Sequence, residues 1–120
     1  MPKTILIVDD HEDTRQLLQF VLQQAGYDVV SAVDGREAVA KVRSERPDAV
    51  VMDIFMPVMD GFEATKLIKG DPVIGHIPVI AHSAKPESCT NDMSLFEAIC
   101  AKPCSPDQMV ETLDGLLGAN

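Results

Sequence analysis

Short runs of apolar, often β-branched residues alternate five times with longer stretches whose apolar residues recur at helical spacing. No other property constrains the fold as tightly. "TILIV" (Thr4–Val8), "YDVVSA", "AVVMD", "HIPVIAHSA" and "AICA" (Ala98–Ala101) read as strands. They are apolar on both faces, as strands buried on both sides must be. Strands separated by helices join one parallel sheet covered on both faces, because each crossover is right-handed and needs a helix. The reading is an α/β domain, a doubly wound five-stranded parallel sheet in the flavodoxin-like order 2-1-3-4-5.

Helix signals fall between the strands. Glu12 to Ala25 carries Leu17, Leu18, Val21, Leu22 and Ala25 on one face, and Gly26 stops it. Asp34 with Glu37, and Asp60 with Glu63, match capping boxes, the second leading a helix through Leu67 and Ile68. Pro47 closes the helix that Asp34 opens. Ser105, Pro106 and Gln108 open the last helix. Met109, Val110, Leu113, Leu116 and Leu117 form its apolar face, and Gly118 ends it. Residues 1–120 are expected to form a single domain with no repeat or linker. Its end at Asn120 fits a stand-alone module or one cut from a longer regulator.

Composition narrows the function classes. Ten Lys and Arg against nineteen Asp and Glu leave a net charge of −9, which argues against direct binding to nucleic acid or an anionic membrane. No window approaches the roughly 20 apolar residues of a membrane span. "MPKTILIVDD" does not resemble a signal peptide, so a cytoplasmic protein is expected. Cys89, Cys100 and Cys104 are odd in number and lack zinc-type spacing, and are read as free thiols.

The polar residues fall where the strands end. In a parallel sheet those ends share one edge, and the winding reverses between the first and third strands. Asp9, Asp10 and Asp53 therefore converge on the crevice where open α/β sheets bind ligands. At about 4 Å and an effective dielectric near 20, each carboxylate pair repels by roughly 4 kcal/mol. A hard divalent cation such as Mg²⁺ relieves that repulsion. With Lys102 and Ser83 at neighbouring strand ends, the edge suits a phosphoryl group, and Asp53 is a competent nucleophile for one. His11, His76 and His82 lack metal-ligand spacing, and His82 is read as a strand-end residue without a chemical task.

"ILIVDD" (Ile5–Asp10), "VVMDIFMPVMDG" (Val50–Gly61), "PVIAHSA" (Pro78–Ala84) and the Lys102–Pro103 dipeptide resemble, in that order, a response-regulator receiver domain. The resemblance implies a two-component signalling switch. Asp53 would accept a phosphoryl group from the phosphohistidine of a sensor histidine kinase or phosphotransfer protein. Mg²⁺, or Mn²⁺ in its place, would be held by Asp10, by Asp53, by the backbone carbonyl of Phe55, and by Asp9 mainly through water. Ser83, the backbone N–H of Ala84 and Lys102 would bind the phosphoryl oxygens, and the Lys102–Pro103 peptide would be cis. Such a domain acts on no separate metabolite.

Departures from the family pattern are also legible. Ile99 stands where Tyr or Phe is usual, three residues before the lysine. The interval from Ser83 to Lys102 is short, and "KPESCTNDMSLF" is a poor helix former, so an atypical or shortened fourth helix is expected. Phe55 and Lys85 occupy positions that govern water access in the family, and a bulky Phe55 predicts a long-lived phosphoaspartate. The alternative function is a degenerate, phosphorylation-independent interaction module. A phosphohydrolase is disfavoured because Phe55 stands where such enzymes carry a second aspartate.

Overall fold

A computed structural model describes residues 2–56, 58–84 and 95–118. Along the chain these form β1 (Thr4–Val8), α1 (Glu12–Gln24), β2 (Asp28–Ala32), α2 (Gly35–Glu45), β3 (Ala49–Asp53), α3 (Gly61–Gly70), β4 (Val79–Ser83), β5 (Ala98–Ala101) and α4 (Pro106–Leu117). The sheet is parallel, in the order β2-β1-β3-β4-β5. Most of the expected helical segment between β4 and β5, with Lys85 and Cys89, lies outside the described residues.

Two apolar layers sandwich the sheet, and the strands' alternating side chains decide which layer each residue joins. Leu6, Val8, Val50, Met52, Val79 and Ala81 pack towards α2 and α3, with Val39, Val42, Ala64 and Ile68. Ile5, Ile7, Val51 and Ile80 point the other way, towards Leu18 and Leu22 of α1 and Met109 and Leu113 of α4. Each of these two helices buries a narrow stripe: Leu18 and Leu22, or Met109 and Leu113. The expected faces were too broad, since Leu17 and Leu67 are about half exposed and Leu116 lies at the margin. A cylinder on a nearly flat sheet touches along a line, and residues 100° off that line face water.

Local signals act as their chemistry requires. The Asp34 carboxylate accepts from the Glu37 N–H at 2.8 Å, but Glu37 returns to the N–H of Val33 rather than that of Asp34. At Ser105 the reciprocal capping box is complete. Gly26 takes φ 97° just past α1, a conformation that disfavours a side chain.

The reading of three free thiols needs correcting. Cys100 and Cys104 form a disulfide, because the turn after β5 brings their Cα atoms to 5.9 Å, within the span such a bond bridges. Pairing depends on this spatial approach, which no spacing rule supplies. The Lys102–Pro103 peptide inside that turn is cis, as the resemblance implied.

Candidate functional site

Strand register brings the polar residues together. Val8 of β1 lies opposite Met52 of β3, so Asp9 and Asp53 are the next residues on adjacent strands. Asp53 pairs with His82 of β4, and Ser83 with Ala101 of β5. Lys102 therefore starts two strands from Asp53, about 10 Å away at the usual strand spacing, a gap that its long side chain crosses. Its Nζ stands 3.2 Å from Asp53 Oδ1 and 3.7 Å from Asp9 Oδ2.

The surrounding backbone is held from several sides. The Lys102 N–H donates to the Ser83 carbonyl at 2.8 Å, tying the lysine's loop to the end of β4. Arg15 Nη1 donates to the Asp9 carbonyl at 2.7 Å, fixing the loop after β1. Gly61 at the start of α3 donates to the Ile54 carbonyl at 2.8 Å. A Cβ on Gly61 would lie 2.4 Å from the Asp53 carbonyl oxygen, so only glycine allows this helix to abut the end of β3.

The carboxylates differ in environment. Asp9 and Asp53 are buried, whereas Asp10 is exposed to solvent. Burial raises the Asp53 pKa above the ordinary carboxylate value and Asp9 raises it further, while Lys102 opposes both. Asp9 Oδ2 is buried without a hydrogen-bond partner. Lys102 Nζ at 3.7 Å is beyond hydrogen-bond reach of it, and a buried anionic oxygen so loosely paired is costly. One ligand atom each from Asp9, Asp10, His11 and Asp53 lie within 4.8 Å of one another, a set suited to a metal ion. The donor set and the loosely paired Asp9 oxygen both fit a divalent cation.

Asp9, Asp10, Asp53 and Lys102 thus converge. Ser83 is buried at the end of β4, Ala84 follows it at the surface, and half-exposed Phe55 lies two residues beyond Asp53. Register and chain position put these three on the same edge. Ile99 is partly buried against the α2–α3 layer.

Two histidines stand beside the carboxylates, one of them against its spacing. His11 belongs to the cluster despite lacking ligand spacing, because its backbone turns the ring towards the carboxylates. A His immediately after an acidic pair at a strand end was the available signal. His82 is buried beside the site; desolvation, aided by Lys102, lowers its pKa to about 4, against the pull of Asp9. Its ring is therefore neutral near pH 7.

Comparison with known proteins agrees with this arrangement. The model of the response regulator receiver domain matches residues 5–114. The polar-differentiation response regulator DivK of Brucella anthropi is 36% identical over 121 residues, covering 98% of each protein. The chemotaxis response regulator CheY4 of Vibrio cholerae has a TM-score of 0.90 at 33% identity, covering 98% of this chain and 100% of that one. The receiver domain of the sensor histidine kinase PA1611 from Pseudomonas aeruginosa PAO1 contains a magnesium ion coordinated in its active site cleft. It matches with a TM-score of 0.89 at 27% identity, over 98% of this chain and 99% of that one. With its acidic strand ends and opposed lysine in the receiver order, and a family match over almost its whole length, this chain belongs to the response regulator receiver domain family.

Proposed function

We propose that the protein is a signalling switch in which Asp53 accepts a phosphoryl group from the phosphohistidine of a sensor kinase or phosphotransfer protein. An Asp53 oxygen attacks phosphorus, the phosphorus–nitrogen bond breaks, and the imidazole nitrogen leaves with the electron pair. The observation carrying this reading is Lys102 Nζ 3.2 Å from Asp53 Oδ1, with Asp9 buried alongside. Lys102 neutralises the incoming phosphoryl oxygens and orients the acceptor carboxylate.

Asp9, Asp10, Asp53 and the Phe55 carbonyl would hold Mg²⁺ or Mn²⁺. The bound ion would supply positive charge against the phosphoryl oxygens. The magnesium in the related receiver of PA1611 supports that choice. Ser83 and the Ala84 N–H bind the remaining oxygens, and the altered edge near β4 and β5 changes affinity for an output partner. No separate metabolite is turned over.

Phe55 sits at the rim and slows attack by water on the acyl phosphate, so Phe55→Asn hastens dephosphorylation. The cytoplasm suits a kinase-fed switch. The Cys100–Cys104 disulfide pulls the other way, since such bonds are uncommon there.

Incubation with Mg²⁺ and acetyl phosphate tests the reading. Stoichiometric labelling that Asp53→Asn abolishes supports the switch, whereas an unlabelled wild-type protein points to the phosphorylation-independent module. Rapid turnover of phosphate esters would indicate a hydrolase.

A further inference from the structure

His11 is the N-cap residue of α1, yet its side chain makes no capping hydrogen bond to that helix. Its ring turns back over the end of β1 instead. Nδ1 lies 3.2 Å from Asp9 Oδ1 and 3.2 Å from Asp10 Oδ1. The backbone contributes to this placement, because the His11 N–H donates to the same Asp9 oxygen at 2.8 Å. Arg15, one turn along α1, holds the Asp9 carbonyl. The main chain and the two carboxylate contacts of Nδ1 together position the imidazole.

We propose that His11 supplies a nitrogen ligand to the divalent ion of this site and tilts its preference from Mg²⁺ towards first-row transition ions such as Zn²⁺. The inference rests on the receiver reading and adds a ligand and a selectivity to it. With an ion between the carboxylates, the tautomer protonated on Nε2 would turn the Nδ1 lone pair to it, in place of the Nδ1–H hydrogen bond to Asp9 Oδ1. Asp9 Oδ2 of the same carboxylate is buried without a hydrogen bond, 3.7 Å from Lys102 Nζ. Carboxylates and water alone suit Mg²⁺, whereas an added imidazole favours Zn²⁺ and its neighbours. The ring is largely solvent-exposed, at 69% of its side-chain surface, so recruiting it requires no repacking of the core.

The test uses the whole unphosphorylated chain loaded with Mn²⁺. Pulsed electron paramagnetic resonance is expected to show modulation from a coupled ¹⁴N in the wild type, absent in His11→Ala and His11→Gln. In competition against Mn²⁺, the preference for Zn²⁺ over Mg²⁺ should fall at least about tenfold in both variants, the low end for disturbing a metal's ligand environment. Bound Mn²⁺ without nitrogen coupling in the wild type overturns the proposal while leaving the receiver reading intact. Coupling that persists in His11→Ala, or an unchanged ion preference, also overturns it, the former by implicating His82. Absence of any Mn²⁺ binding by the wild type overturns both readings.

Discussion

Two residues show how close the site is to conflict with its own scaffold. Gly61→Ala would drive a methyl group against the Asp53 carbonyl oxygen. The expected cost is about 1–3 kcal/mol in denaturant unfolding, the usual range for overpacking, together with slower labelling of Asp53. His82 acts through protons. The unfolded chain protonates this residue near 6.5 and the folded chain only at about 4. Its contribution is therefore complete above pH 6.5 and is lost as pH falls towards 4, a change of order 3 kcal/mol. Asp53 has the opposite sign: its raised pKa makes the folded state bind its proton more tightly, so acidification relieves a penalty. Stability measured against pH in an Asp53→Asn background isolates the histidine. Replacing His82 by Leu in that background is expected to flatten the slope between pH 6.5 and 4.

At the scale of elements, ends are specified more sharply than faces. The Ser105–Gln108 box makes both of its hydrogen bonds, at 2.9 and 3.1 Å, and Pro106 follows at the first turn. Ser105→Ala should therefore destabilise the protein by about 1 kcal/mol, read as a lower urea midpoint with unchanged slope. That helix also anchors β2's entry through Tyr27, whose hydroxyl donates to Asp114 at 2.5 Å. Burial, then the carboxylate, pushes the Tyr27 pKa far above its ordinary value. Helix faces were less legible. Periodicity assigned Leu17 and Leu116 to buried sides, and the sheet's geometry left Leu17 exposed and Leu116 at the margin.

Across the whole molecule, stability and charge are set against each other at one edge. The chain is compact, with a radius of gyration of 12.7 Å against about 13.6 Å expected for its length. Its −9 charge includes buried Asp9 and Asp53 at the ligand crevice. A cation that binds only the folded state relieves that repulsion. Mg²⁺ at a hundred times its dissociation constant should stabilise the wild type by about 2.7 kcal/mol, measured as a rise in Tm. Asp53→Asn is expected to raise Tm without added ion and to shrink the increment that Mg²⁺ provides. An equal increment in both proteins would place the ion elsewhere.

The apolar runs and their helical spacers determined the parallel sheet by themselves. Two-sided burial and right-handed crossovers leave few other ways to satisfy such strands. The same reasoning put Asp9, Asp10, Asp53 and Lys102 on one edge, because a strand's end is a property of local sequence. Only the tertiary structure decided what lies across space: His11 turned onto the acids, His82 desolvated beside them, and Cys100 joined to Cys104. Each depends on distances of a few ångströms between backbone turns and packed layers. Residue order carries no simple code for those distances.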